Sequence, residues 1–287
     1  MKVAKTFEEQ LKILQNRGVV VEDTEYAINT LQRVNYYRLV AYGLTLKCSP
    51  NSNIYIEGTT FSKLVSLYEF DKKLRQLLLG ALESIEVAFR THIAYHHAHK
   101  YSPLGYENPS YFQDPTYHER FIKNLDRFYD ENKTELFIIH HRKKYDGVFP
   151  FWVAVEVLSF STLSMLFKNL LHEDKLLISK TYYNVHYKYT ESWLHTLTTI
   201  RNVCAHHGRL YGKKLTISPL LFNKVKNHIQ SNSLFAAIIV LFKLLNEKDR
   251  NILLISLHAL IDEYKEYINL FDMGFPHDWE SIIMDLK

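Results

Sequence analysis

Residues 200–214 read IRNVCAHHGRLYGKK and bring together side chains that can transfer protons and bind anions. Asn202 and His206 are four residues apart, so they share one face if this segment is helical. Arg201 points about 140° away from His206 at roughly 100° per residue, but a long arginine side chain can turn its guanidinium towards the imidazole. We therefore treat Arg201, Asn202 and His206 as candidate catalytic residues.

These residue types can supply the chemistry of RNA cleavage without a metal ion. The ribose 2′-hydroxyl attacks the adjacent phosphorus, a base removes its proton, an acid protonates the leaving 5′-oxygen, and a cation stabilises the developing charge. Histidine can serve as the base or the acid, and arginine as the cation. One histidine cannot hold both roles at once, so we expect a two-fold dimer to supply a second copy of the motif.

The same stretch also has a simpler interpretation as a capped and solvated helix end. We expect the helix to end near His207 with Gly208 as its C-terminal cap, where the carbonyl end of the helix favours positive charge. The spacing alone does not decide between the two interpretations, because Arg90 precedes His96 and His97 at a similar distance.

The elements that must position these residues are predicted to be helices. Only 9 Gly and 7 Pro occur in 287 residues, which favours long helices over a sandwich or barrel. The longest amphipathic pattern covers about 60–99, and Thr6 with Glu9 has the spacing of a capping box. Further helices are expected at about 23–46 (interrupted near 35–43), 117–145, 151–170, 172–183, 188–207, 219–246 and 248–270. The fold class is therefore predicted to be all-α.

Charge and cysteine usage indicate a cytoplasmic protein with room for an anionic partner. The net charge is +4 and the pI about 8.7, which permits binding to nucleic acid without requiring it. Cys48 and Cys204 match no CxxC pattern, so we expect two reduced thiols. The N-terminus lacks the apolar core of a signal peptide. The apolar run at 234–242 is too short to span a bilayer, so no membrane partner is expected.

Four segments carry a resemblance to a known family. RNVCAHHGRLY, from residue 201, resembles the Arg-Asn-x3-His signature of the HEPN superfamily. Residues 11–47, 67–94 and 149–167 resemble segments of the Abi-like (abortive infection, AbiD/AbiF type) bacterial proteins. The last of these is similar to a Pro-Trp-x3-Glu helix of that family, with Ser161 where a glycine is expected. The resemblance covers about 10–250 of the chain.

The resemblance implies an all-α, HEPN-type helical bundle with additional N- and C-terminal helices. Residues 1–287 would form a single Abi-like domain, with 1–58 as an N-terminal helical extension and 59–287 as a HEPN-like core. It implies a metal-independent endoribonuclease built across a homodimer, acting in abortive-infection defence against phage. RNA is the expected partner, both as substrate and as a bound structured non-coding RNA, which some Abi-like proteins associate with. We expect no cofactor and no metal ion.

A second group of residues is expected to contact RNA or to support the motif. Glu86 and Arg90 are four apart on one helix face, so they form either an exposed ion pair or, as the resemblance implies, part of the site beside Arg201. The residues after the motif offer positive charge and one aromatic ring for holding a nucleotide chain. These are His207, Arg209, Tyr211, Lys213 and Lys214.

Several alternatives remain open from the sequence. His92, His96 and His99 could share a metal-binding face, although a solvated or RNA-facing cluster is the preferred interpretation. Cys204 is interpreted as a packing residue rather than a nucleophile, and the aromatic segment 35–39 as core rather than a binding platform. The alternatives to a nuclease are an RNA-binding protein that does not cleave and a toxin-like interaction protein.

Overall fold

The computed structural model describes residues 3–286, which are built from α-helices joined by short turns and 3-10 segments. No β-strand occurs in this range, apart from three isolated β-bridges. The all-α fold class is therefore confirmed. Residues 1, 2 and 287 of the predicted single domain lie outside the described residues.

Fourteen α-helices occur between residues 3 and 286. They are α1 (Phe7–Asn16), α2 (Thr24–Arg33), α3 (Tyr36–Val40), α4 (Phe61–Tyr101), α5 (Pro115–Glu131), α6 (Leu136–Lys144), α7 (Phe151–Ala154), α8 (Phe160–Asn169), α9 (His172–Tyr183), α10 (Tyr187–Ala205), α11 (Asn223–Lys226), α12 (Leu234–Leu244), α13 (Glu247–Tyr264) and α14 (Trp279–Met284). The predicted helices at 60–99, 172–183 and 188–207 correspond to α4, α9 and α10.

The first helix begins with the predicted capping box. The Thr6 hydroxyl accepts a hydrogen bond from the backbone N–H of Glu9 at 3.2 Å, and the Glu9 carboxylate accepts from the Thr6 N–H at 2.9 Å. The expected second helix is interrupted, as predicted, between α2 and α3, where the Asn35 side chain accepts from the N–H of Tyr37. This reciprocal and local capping satisfies the backbone donors that a helix start leaves unpaired.

Three predicted helices are each divided in two, which corrects the sequence analysis. The segment 117–145 breaks between α5 and α6, and the segment 219–246 contains α11 and α12. The segment 151–170 contains α7, a 3-10 turn and α8. Ser159 and Ser233 cap the second helix of their segments by accepting hydrogen bonds from backbone N–H groups, both at 3.2 Å. In both segments a serine side chain thus starts a new helix.

The 41-residue helix α4 lies at the centre of the fold and packs against α7, α10 and α13. Its first turns also cover a smaller apolar cluster formed by the N-terminal helices, to which Phe61 and Leu64 contribute. Leu46 and Tyr68 pack against both clusters. Helix α4 therefore brings the N-terminal helices and the end of α10 onto one continuous support.

The strongly apolar run at 234–242 lies inside α12, which has only 11 residues. Within residues 3–286, no helix is both long enough and apolar enough to cross a membrane.

Candidate functional site

Helix α10 ends inside the motif, and its last turn fixes the two histidines. His207 has a left-handed backbone conformation (φ 57°). The N–H of Gly208 donates to the carbonyl of Val203 at 2.7 Å, and the N–H of His207 donates to that of Cys204 at 3.2 Å. This pair of bonds is the Schellman pattern, with His206 as the C-cap residue. The helix ends near His207, as expected, but the expectation that Gly208 is its C-terminal cap is wrong, because His206 is the C-cap residue and His207 takes the left-handed position.

Gly208 lies where the turn leaves little room for a side chain. A Cβ atom at this position would lie 3.0 Å from Val203 Cγ1 and 3.2 Å from the Val203 carbonyl oxygen. Both distances are tighter than ordinary van der Waals contact. The glycine therefore lets the chain turn back closely over the last turn of α10.

The three candidate catalytic residues lie at the exposed end of α10. Asn202 and His206 are exposed and Arg201 is partly buried. Arg201 Nη1 donates to Asn202 Oδ1 at 3.4 Å, a long hydrogen bond. The His206 imidazole has no hydrogen-bond partner among residues 3–286. One chain thus brings Arg201 and Asn202 together and leaves the His206 imidazole facing solvent.

Glu86 and Arg90 form a largely buried ion pair on α4. Arg90 Nη2 donates to Glu86 Oε1 at 2.6 Å and to the carbonyl of Leu158 at 2.8 Å. Their side chains are only 11% and 16% exposed, so the interpretation as a solvated surface pair is wrong. Burial raises the pKa of the Glu86 carboxyl, and the positive charges of Arg90 and Arg201 oppose that rise. Glu86 is therefore paired with Arg90 and lies within electrostatic reach of Arg201, which belongs to the motif.

The loop after the motif is anchored by Asp71, which the sequence analysis missed. Asp71 is fully buried, and its Oδ1 accepts from the backbone N–H groups of Leu210 at 3.0 Å and Tyr211 at 2.7 Å. Its Oδ2 accepts from the Tyr42 hydroxyl at 2.7 Å and pairs with Arg75. Burial raises the pKa of Asp71, and these partners oppose the rise. A carboxylate on the apolar face of α4 is the signal that would have identified it.

Arg38 supplies a second anchor that sequence reasoning did not find. Its Nη1 donates to the carbonyl oxygen of His207 at 2.6 Å, so the N-terminal helix α3 contacts the motif directly. The segment 35–39 is mixed rather than simply core: Leu39 is buried, whereas Tyr37 and Arg38 are exposed.

Tyr211 does not have the role predicted for it. It is 1% exposed, its hydroxyl donates to Asp272 Oδ2 at 2.7 Å, and the same oxygen accepts from the Asn269 N–H at 2.9 Å. A buried ring has no free face, so the expectation that Tyr211 stacks on a base is wrong. Arg209 is partly buried and donates to the Tyr211 carbonyl at 2.6 Å. Lys213 and Lys214 are exposed.

The histidines of α4 are held by aromatic neighbours. The His92 ring stacks on Tyr182 at 3.5 Å between centroids, and His96 Nε2 lies 3.0 Å from the hydroxyl of the same tyrosine. His97 is buried among aromatic rings, and burial lowers its pKa to about 4. His99 Nδ1 bonds to a backbone carbonyl within α4. Across residues 3–286, no three His, Cys, Asp or Glu side chains come close enough to hold a metal ion.

Cys204 is buried behind the motif, which agrees with its interpretation as a packing residue. Burial raises the pKa of its thiol to about 12. The thiolate form that a nucleophile requires is therefore disfavoured.

These features define an all-helical protein whose central helix and N-terminal helices present a histidine-bearing helix end at the surface. The family model described as Abi-like protein matches residues 29–212, which is more than half of the chain and includes the whole Arg-Asn-x3-His motif. The chain therefore belongs to the Abi-like protein family. This membership points to abortive-infection defence. Searches of curated proteins and of solved structures returned no match.

Proposed function

We propose that the chain is a metal-independent endoribonuclease of the HEPN type that acts in abortive-infection defence against phage. The observation that carries the proposal is the arrangement at the end of α10, where Asn202 and His206 are exposed and the partly buried Arg201 donates a hydrogen bond to Asn202. The buried Glu86–Arg90 pair supports it, because the charge of Arg201 opposes the burial-driven rise in the pKa of the Glu86 carboxyl. The Abi-like match supports it further, because it spans all five residues.

In the proposed reaction, the ribose 2′-oxygen attacks the adjacent phosphorus while a histidine takes its proton. The Arg201 guanidinium stabilises the negative charge on the phosphorane oxygens. Asn202 holds the guanidinium through its side-chain oxygen. The P–O5′ bond then breaks as a second histidine protonates the leaving oxygen. The products are a 2′,3′-cyclic phosphate and a 5′-hydroxyl end.

A homodimer would supply both histidines, His206 from each protomer. The exposure of His206, without a hydrogen-bond partner in residues 3–286, is consistent with this arrangement. The orienting contacts would form when the second copy or the RNA is present, since catalytic hydrogen bonds often tighten only in the complex.

The test is cleavage of labelled single-stranded and hairpin RNAs in the presence of EDTA. Wild type is expected to cut, and Arg201→Ala and His206→Ala are expected to lose about 10²-fold or more in rate. Arg127→Ala and His228→Ala, each removing one exposed side chain elsewhere, serve as matched controls and should cut normally. Equal cleavage by the motif variants and wild type would refute the proposal.

A second candidate is an RNA-binding protein that does not cleave. It is favoured by the absence, within the described residues, of any side chain that orients the His206 imidazole. Its signature would be retention of one discrete, intact RNA on purification, with no cleavage by wild type in the same assay. Loss of that RNA in Arg201→Ala would assign the motif to binding.

A further inference from the structure

A groove of about 680 Å³ lies between the N-terminal helices, α4 and the end of α10. Its ionisable lining is predominantly basic: Arg33, Arg38, Lys72, Arg75 and His207 all contribute. No aspartate or glutamate among residues 3–286 lines it. A concave surface with charges of one sign concentrates ions of the opposite sign, so the groove is suited to an anion.

Two of the four arginine and lysine charges in the groove are not compensated. Arg75 is paired with the buried Asp71, and Lys72 pairs with Glu69 at 3.1 Å on the surface of α4. Arg33 and Arg38 have no ion pair with any carboxylate in residues 3–286, and both are exposed. The groove therefore carries at least two positive charges that are free to bind a ligand.

The chemistry of Arg38 fits a phosphate. Only its Nη1 is engaged, by the carbonyl oxygen of His207, which leaves Nε and Nη2 to donate. A guanidinium fork matches two oxygens of a phosphate group. The amide side chains of Asn35 and Gln76 also line the groove and add uncharged donors.

The groove adjoins the motif, since Ala205 and His207 form part of its wall and flank His206 in the chain. We propose that the groove binds the phosphodiester backbone of RNA immediately beside the cleavage site, with Arg33 and Arg38 as the phosphate-binding residues. This inference rests on the proposed function. It gives the N-terminal helices a direct part in holding the RNA.

The test measures binding of a labelled single-stranded RNA in a His206→Ala background, where the RNA stays intact. Arg33→Ala should weaken binding about tenfold and lower the slope of log affinity against log salt by about 0.7. Gln76→Glu, which adds a carboxylate to the wall, should also weaken binding. Arg127→Ala and Gln230→Glu make the same charge changes on exposed side chains outside the groove. These controls should bind RNA as tightly as the parent protein, which is His206→Ala alone. Thermal unfolding verifies that each variant is folded.

The outcomes separate the two proposals. If His206→Ala retains RNA and the groove variants bind it as tightly, the groove inference is wrong and the nuclease proposal stands. If the wild type neither binds nor cleaves any RNA, both fail. A third arm uses inorganic phosphate: stabilisation of the parent but not of Arg33→Ala, with unchanged RNA affinity, would assign the groove to a small free anion and overturn the RNA assignment.

Discussion

His207 occupies a backbone position that helices usually give to glycine. Its φ of 57° is left-handed, a conformation that costs an L-residue about 1–2 kcal/mol relative to the right-handed helix. Its carbonyl oxygen is held by Arg38 and its side chain is exposed. Backbone strain of this kind clusters at functional sites, and we propose that the imidazole is retained for contact with RNA.

His207→Gly is therefore expected to stabilise the fold and to weaken RNA binding. Removing the Cβ relieves the left-handed strain and should raise the free energy of unfolding by about 1 kcal/mol, as measured by urea titration. The Arg38 contact is kept because it involves only the backbone of residue 207. The RNA affinity should fall, since one exposed donor is lost beside the groove.

Asn184→Gly is the matched control for that variant. Asn184 also has a left-handed conformation, φ 51°, at the end of α9. Its replacement should change stability in the same direction without altering RNA affinity. A His207→Gly protein that is less stable than wild type, or that binds RNA unchanged, would show that the strain serves no ligand.

The raised pKa of Glu86 predicts how the free energy of unfolding depends on pH. Its pKa is raised above the ordinary value of 4.5, chiefly by burial. When the pKa of a carboxyl is higher in the folded state than in the unfolded chain, its contribution to stability is fully present below the unfolded-state pKa. That contribution is lost as pH rises through the folded-state pKa. Glu86→Gln removes this ionisation. The stability of the variant relative to wild type should be constant below the unfolded-state pKa, should rise with pH through the raised folded-state pKa of Glu86, and should level off above it.

Urea unfolding of both proteins across that range measures the difference directly. Glu57→Gln, which neutralises an exposed carboxylate in the loop before α4, is the control and should show no comparable trend. A stability difference that shrinks as pH rises would mean that the ion pairs of Glu86 outweigh its burial.

Helix α10 and the loop that follows it are held in place by distant elements. Asp71 on α4 binds two backbone N–H groups of the loop, and Arg38 on α3 binds the carbonyl at the helix end. The Tyr211 hydroxyl joins the same loop to Asp272 near the C-terminus. The position of the motif therefore depends on three separate parts of the chain, and Asp71 is the buried charge among their contacts.

Asp71→Asn should destabilise the protein by about 3–5 kcal/mol, because it leaves the Arg75 guanidinium buried without its carboxylate. The measurement is the free energy of unfolding in urea. Glu263→Gln, which breaks an exposed ion pair with Lys73, should have little effect. Adding Arg75→Met to Asp71→Asn should recover part of the loss. Equal losses for Asp71→Asn and the Glu263→Gln control would contradict the assigned role.

The sequence predicts what is encoded locally. The capping box at Thr6 and the apolar face of α4 depend on residues three or four apart, and both are found where predicted. The contacts that hold the motif are not local: Arg38 is 169 residues from His207, and Asp71 is 139 residues from Leu210. Periodicity carries no information about such pairs. For that reason the exposed motif is predictable, whereas the groove and the burial of Tyr211 are not.

In the whole molecule, the Arg-Asn-x3-His motif lies at the surface of the single chain. Helix α4 contributes to both apolar clusters. Asn202, His206 and His207, at the end of α10, remain exposed. An interior active site would bury such residues, but a site completed by a second copy of the chain requires them at the surface. The exposure of the motif thus agrees with a composite site, and the stoichiometry of inactivation can test it.

Mixed dimers of wild type and His206→Ala give that test. If the reaction needs a histidine from each protomer, only wild-type homodimers cut. When equal amounts of the two proteins exchange subunits at random, wild-type homodimers are about a quarter of all dimers. The activity of the mixture should therefore be about a quarter of the activity of pure wild type at the same total protein concentration. If each protomer acts alone, activity should fall only to about half. Mixing with His228→Ala controls for exchange itself and should leave activity unchanged. A value near one half would remove the dimeric site from the mechanism and require a second proton-transfer group within one chain.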